Sequence, residues 1–181
     1  MRALPRTRML ILTALFSALT AVGAFLKIPI GVSSFTLQFF FTALAGLLLG
    51  ARYGALSQAV YLLLGLFGLP IFTQGGGLGY LLHPTCGFLF GLIPSAWVIG
   101  TLAGGRAEPR VLIPACLAGL AVLYLVGLPY MHLILNFYLG RTMSVWATMK
   151  AGMLIFLPGD GVKILVVTVV AKPLLRALGR A

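Results

Sequence analysis

The sequence predicts an all-α integral membrane protein of six transmembrane helices, on three observations. The chain is 61% apolar, only 8% of its residues are charged, and its uncharged runs recur at close to the length of a bilayer-crossing helix. A soluble domain carries about 25% charged residues, whereas a mean hydropathy of +1.11 requires most of this surface to face something other than water. At 181 residues a single membrane domain, 1–181, is expected, with no Ser-, Gln- or charge-rich linker to divide it.

The spans follow in order. Arg2, Arg6 and Arg8 precede a first apolar run at 9–28, an arrangement that imitates a secretory signal peptide. Cleavage there would export a body that is itself hydrophobic, so a retained span is expected. Runs at 35–50 and 53–72 are separated by little more than Arg52 and predict a tight helical hairpin. Further spans are expected at 86–104 and 111–135, and a sixth at about 158–178.

That sixth span is unusual, because only eight residues, 164–171, separate Lys163 from Lys172. At 1.5 Å per residue they cover about 12 Å of a hydrocarbon core about 30 Å thick. If the span starts near Pro158, Asp160 and Lys163 lie one turn inside it while Lys172 and Arg176 snorkel at the far end. If it starts at Ala151, Pro158 and Gly159 break a helix and the two charges fall nearer its middle. Either way both charges sit at membrane depth.

The basic residues orient the chain. With six spans and a cytoplasmic N-terminus, Arg2, Arg6, Arg8, Arg52, Arg106, Arg110, Lys172, Arg176 and Arg180 fall on the inner side, and Lys27, Arg141 and Lys150 on the outer. Lys and Arg excess in short loops marks the cytoplasmic face, so both termini are expected inside, in the cell membrane. Distributed in this way, the net charge of +11 is a topology signal. It forms neither a basic helix face nor an aromatic platform for nucleic acid.

Several chemistries are excluded. The chain has no G-x-x-x-x-G-K-[ST] loop, no H-E-x-x-H and no G-x-S-x-G elbow, and Gly75, Gly76, Gly77 and Gly79 do not satisfy G-x-G-x-x-G. Glu108 and Asp160 are its only carboxylates, too few for phosphoryl transfer around divalent metals. His83 and His132 have no partner Cys or acid nearby, and Cys86 and Cys116 read as small buried residues. No enzyme activity, metal or cofactor is expected, and without an ATP site any uphill transport must draw on an ion gradient or another subunit.

What remains is the intramembrane pair. A charge at the centre of a membrane helix costs about 2.5–3.5 kcal/mol on the insertion scale, and such residues mark function. Positions i and i+3 share a helix face, so Asp160 and Lys163 point the same way. One reading is a self-contained ion pair between helices. The other is a ligand site, favoured because Pro158, Gly159 and Gly161 loosen the local helix. Its ligand would bring N–H donors to the carboxylate and an anionic group to the ammonium. The glycines at 75–77 allow backbone to approach closely, and Phe39, Phe72, Tyr80 and Phe88 offer an apolar wall.

Several segments together resemble the BioY family, the biotin-specific S component of energy-coupling factor (ECF) vitamin transporters. They are KIPIG at 27–31 followed by FTLQ at 35–38, LAGLLLGARYGALSQAVYLLLGLFGLPIF at 44–72, GYLLHPTCGF at 79–88 and FLPGDGVK at 156–163. The resemblance implies an S-component-like bundle of six helices with a vitamin site open to the outside. It implies biotin as substrate, with Asp160 accepting from the ureido nitrogens and Lys163 supplying positive charge or a hydrogen bond. Gln38, Gly75, Gly76, Tyr80 and Thr85 complete the expected substrate-binding set. It further suggests that the face of the first span carrying Ala14 and Ala18, small residues four apart, docks a transmembrane T component bearing two ABC-type ATPases.

Two departures stand out. The family usually reads Pro-Thr-Gly-Gly-Tyr where this chain has Pro84, Thr85, Cys86, Gly87 and Phe88, and tends to have proline where Val32, Ser33 and Ser34 stand. The alternatives are an S component for another vitamin, such as thiamin or riboflavin, and a self-sufficient carrier coupled to protons through Asp160.

Overall fold

Inside a bilayer the backbone must satisfy its own polar groups, which restricts apolar runs of this length to helices. A computed structural model describes residues 5–31 and 33–178. Arg2 and Arg180 of the charge tally, and Val32 among the departures, lie outside the described residues. Among the described residues, five helical stretches are long and apolar enough to cross a membrane: Arg6–Phe25, Gln38–Leu66, Cys86–Ala103, Pro109–Tyr138 and Val145–Ala177.

The count differs by one from the six expected, and the difference lies in the second stretch. Helix α2 (Gln38–Leu66) follows α1 (Arg6–Phe25) and is interrupted at Gly50, where φ is 81° and ψ 178°, a region of backbone space that is essentially glycine's alone. The chain folds back there. Thr42 Oγ1 donates to Gln58 Oε1 at 3.0 Å, and Gln38 Nε2 donates to the Tyr61 hydroxyl at 2.9 Å. Gly54 lies so close to Gly46 that a Cβ on it would stand 2.9 Å from the Gly46 Cα. These contacts join residues progressively farther from Gly50 on either side, as in an antiparallel pair. The expected runs 35–50 and 53–72 are therefore two arms of one element, 38–49 and 51–66, that reverse at Gly50 rather than at Arg52.

The first arm, at 1.5 Å per residue, is only about 18 Å long. The depth it leaves is occupied by a short antiparallel hairpin, β1 (Lys27–Ile30) and β2 (Ser33–Thr36), with Ile28 opposite Phe35. A sequence reading of helices alone does not anticipate this element, whose strands of four residues carry no clear alternation. It is pinned at its exit, where the Leu37 N–H donates to the Gly23 carbonyl at 3.0 Å. Lys27 and Ile28, placed in the first span by the expected boundaries 9–28, belong to β1.

Helix α3 (Cys86–Ala103) ends on Gly104 in the left-handed conformation. Arg106 donates from its guanidinium to the carbonyls of Leu102 and Ala103 at 3.0 and 3.3 Å, satisfying acceptors that a helix end leaves free. Helix α4 (Pro109–Leu133) starts on a proline, which suits the first turn. It continues through a π turn, Ile134–Tyr138, beyond the expected end at 135.

The last stretch begins earlier than the expected 158. Helix α5 (Val145–Met149) leads through a π turn, Lys150–Leu154, into α6 (Leu157–Ala177). Pro158 lacks an amide hydrogen and disfavours helix before it, so the chain resets at 155–156 and starts α6 afresh. Asp160 then falls in the first turn of α6, within a longer helical stretch, as in the second of the two arrangements considered. Helix α2 packs against α1 and α3, α3 against α4, and α6 closes on α2 and α4. Apolar side chains such as Leu125 and Val169, each 73% exposed, present a lipid-compatible exterior.

Replacing Gly50 by alanine should lower stability by about 1–3 kcal/mol, the cost of holding a side chain in that backbone region. The measurement is the thermal unfolding midpoint of detergent-solubilised protein. An unchanged midpoint would show that the reversal does not depend on glycine.

Candidate functional site

The short first arm of α2 leaves a recess at the hairpin end of the molecule. It is walled by β2, the start of α2, the 73–85 loop, α3, α4 and α6. Its floor carries the intramembrane pair. Lys163 Nζ donates to Asp160 Oδ1 at 2.7 Å, with both side chains under a tenth exposed. The Tyr124 hydroxyl donates to the other carboxylate oxygen, Oδ2. The carboxylate is thus neutralised on one side and hydrogen-bonded on the other, the condition under which a buried charge is tolerated. Each of its oxygens retains further acceptor capacity.

Aromatic side chains fix these groups. The Lys163 ammonium stands 3.8 Å from the ring centroid of Phe35 on the hairpin, a cation–π contact. Phe35 stacks on Phe156 with centroids 6.5 Å apart, and Gly159 is pressed so closely against Phe35 that a Cβ there would collide with the ring. Tyr124 meets Phe88 edge-on at 6.2 Å, and Phe88 fills the space left by the missing side chain of Gly127.

The opposite wall is polar. Gln38, 7% exposed, accepts from Thr36 Oγ1 at 3.0 Å and donates to Tyr61, whose hydroxyl donates to the Ile71 carbonyl at 3.1 Å. Thr73 Oγ1 and the Tyr80 hydroxyl are 2.8 Å apart, and Tyr80 and Thr85 Oγ1 3.2 Å. Burial raises the Tyr80 phenol above its ordinary range, so it stays protonated and able to donate. Lys27 of β1 donates to the Thr73 carbonyl, tying the hairpin to the loop. With this strap down the recess holds about 90 Å³, less than the 300–1,000 Å³ typical of small-molecule pockets.

Of the residues expected from sequence, Asp160, Lys163, Gln38, Tyr80 and Thr85 line this recess together, as do Phe39 and Phe88. Gly75 and Gly76 do not line it. Gly75 bridges back to Phe72, and Gly76 abuts the Leu69 carbonyl so closely that no side chain fits. Phe72 stands behind Tyr80, with centroids 4.7 Å apart. The sequence reading missed Thr36, Thr73 and Tyr124. Tyr124 carried a usable signal, since a phenol inside an apolar span needs a partner for its hydroxyl. The residues expected to dock a partner, Ala14 and Ala18, are exposed on the outside of α1.

A family model described as the BioY family matches residues 1–180. A probable biotin transporter BioY of Lysinibacillus sphaericus is 47% identical over 147 residues, covering 80% of this chain and 71% of that one. The biotin transporter BioY of Thermotoga maritima is 39% identical over 165 residues, covering 91% and 94%. Among solved structures, the crystal structure of the S-component for biotin from an ECF-type ABC transporter superposes with a TM-score of 0.82. It is 26% identical, covering 96% of this chain and 95% of that one.

Removing Lys163 while leaving Asp160 should be costly, because a carboxylate would remain buried without its counter-charge. Lys163→Met is expected to destabilise the protein by about 3–5 kcal/mol, and Asp160→Asn added to it to restore most of the loss. Thermal unfolding of the two variants checks this. A double variant no more stable than the single one would mean that the pair is not the main counter-charge.

Proposed function

The chain belongs to the BioY family, and from that premise we propose that it is the substrate-binding membrane subunit of a biotin uptake system. The observation that carries the reading is the buried Asp160–Lys163 pair, held by Tyr124 at the floor of a recess beneath the hairpin. Biotin suits this chemistry. Its ureido ring offers two N–H donors and a carbonyl, and its valerate tail ends in a carboxylate.

In the proposed complex one ureido N–H donates to Asp160 and the ureido carbonyl accepts from Lys163, which leaves the second N–H, on the far side of the carbonyl, to the polar wall of Thr73, Tyr80 and Thr85. The ring lies against Phe39 and Phe88, and the Gln38 amide, fixed by Thr36 and Tyr61, offers a further polar contact. The phenol of Tyr124 takes the place of the hydroxyl that the family usually carries at position 88. Both reach the same wall, for Phe88 and Tyr124 are in contact. Tyr80 and Thr85 line the side toward the loop. Gly75 and Gly76 act at one remove, by shaping the loop that holds Thr73 and Tyr80.

The site lies at the end of the molecule that positive-inside counting assigns to the exterior, with both termini in the cytoplasm and the protein in the cell membrane. Transport needs a partner that binds loaded and empty forms differently. We assign that role to a transmembrane T component with two ABC-type ATPases, docked on the exposed Ala14–Ala18 face of α1, where small side chains let another helix approach closely. The subunit itself contributes capture and carries no nucleotide site.

Asp160→Asn should weaken biotin binding at least about tenfold, or about 1.4 kcal/mol, as measured on the folded fraction of the variant. Isothermal titration with biotin measures it, with thiamin and riboflavin as controls. Unchanged affinity with a collapsed yield would identify the pair as purely structural. In a host lacking T components and their ATPases, concentrative biotin uptake is expected to be absent and to return when those subunits are supplied. Sustained uptake without them would instead favour a proton-coupled carrier.

A further inference from the structure

Outside the recess, but touching its wall, stands His83. Its Nδ1 is 2.7 Å from Thr85 Oγ1 and accepts from the Thr85 backbone N–H at 3.3 Å. The imidazole stacks on Tyr80 with centroids 5.0 Å apart. Thr85, Tyr80 and Thr73 all line the recess, whereas His83 does not. Three hydroxyls in a row, each within hydrogen-bond distance of the next, cannot be set independently, because each has a single proton: once an end hydroxyl donates out of the row, the other two must donate toward it. The residue beyond the end of the row therefore sets the direction.

We propose that His83 is a positioning residue of the biotin site, setting the direction of the Thr85–Tyr80–Thr73 hydroxyl chain and so deciding whether that wall offers acceptors or a donor to the ligand. The geometry fixes the tautomer. A backbone N–H aimed at Nδ1 requires a lone pair there, so neutral His83 carries its proton on Nε2. The Thr85 hydroxyl then donates to Nδ1, Tyr80 donates to Thr85, and Thr73 donates to Tyr80. With every proton directed toward His83, the oxygens turn only lone pairs to the recess. Such a wall receives N–H groups and rejects an anion, which directs the ureido end of biotin to this region and keeps its carboxylate away.

Protonation of His83 undoes this. Nδ1 becomes a donor, loses the Thr85 N–H and donates to Thr85 Oγ1. Thr85, now without an acceptor at Nδ1, turns its proton either to Tyr80, which passes the reversal on to Thr73, or into the recess; either way one hydroxyl proton is freed to face the ligand's own N–H. Burial already holds the imidazole below its ordinary range, in favour of the neutral form. The other titratable groups on the surrounding elements are engaged or distinct. Lys27 is on the Thr73 carbonyl and Tyr130 on the Leu81 carbonyl, and Cys86 is buried at the start of α3. Asp160 is held by Lys163 and Tyr124, and Glu108 by Arg110. The sign follows: biotin binds the neutral form better, so affinity is retained above the His83 pKa and falls as pH drops through it.

The inference rests on biotin being the ligand, and one titration series separates the two. Biotin affinity is measured by calorimetry between about pH 5 and pH 8, the range in which a histidine titrates, for the wild type, His83→Asn and His83→Leu. The wild type should lose about fivefold or more in affinity toward pH 5. His83→Asn places a carbonyl oxygen near the Nδ1 position and cannot titrate, so it should bind as the wild type does at pH 8 and stay flat. His83→Leu should bind more weakly throughout. A flat wild-type profile, a His83→Asn profile that falls like the wild type, or a His83→Leu protein with wild-type affinity would each overturn the assignment. If the wild type fails to bind biotin at any pH, the functional reading fails instead.

Discussion

The structure is organised around the neutralisation of one buried carboxylate. Asp160 sits in the first turn of α6 with Lys163 one turn on and Tyr124 reaching from α4. An ion pair in a low-dielectric setting is stable only if its geometry is good and its remaining polar capacity is met. The surroundings meet that requirement: Phe35 covers the ammonium, Phe156 supports Phe35, and Phe88 holds Tyr124 from behind. A fully paired carboxylate in an apolar protein is also a poor stabiliser compared with well-packed hydrophobic residues of the same volume. Its presence is not accounted for by stability alone, and it lies on the lining of the recess.

Much of this was legible in the sequence, and the reason differs from part to part. The spans were readable because apolar length is a direct consequence of bilayer thickness. Asp160 and Lys163 were readable because charges there are expensive. The hairpin of 35–50 and 53–72 was also readable, although its reversal falls at Gly50. One glycine among several in that region carries the unusual backbone angle, and periodicity does not single it out. Less accessible was the β1–β2 strap, whose strands are too short to show a pattern. The start of the last stretch was obscured by Pro158, which marks a real break but not the beginning of the helix.

Within the site, side chains that act through their own chemistry were easier to find than those that act by position. Gln38, Tyr80 and Thr85 came from the family resemblance, and Tyr80, read from the residues as part of an apolar wall, contributes its hydroxyl to a polar one. Tyr124, thirty-six residues from Asp160, is joined to it only by tertiary packing and belongs to no local pattern. Gly75 and Gly76 illustrate the reverse case: glycines suggest close backbone approach, and here the approach is to Leu69 and Phe72 rather than to the recess. His83 adds a third kind of residue, one that does not line the recess but contacts Thr85 and Tyr80, which do.

The reversal at Gly50 bears on how the protein enters the bilayer in the first place. An arm as short as 38–49 is a weak candidate for independent recognition by the insertion machinery as a membrane anchor. The whole of α2 therefore has to partition as one looped unit, with Arg52 near its tip holding the bend at the aqueous boundary during synthesis. The hydroxyls and amides of Thr42, Gln58, Gln38 and Tyr61 find each other across the fold, so they arrive in lipid already satisfied. Insertion and the recess thus share a residue: the Gln38 amide helps close the loop and also lines the recess.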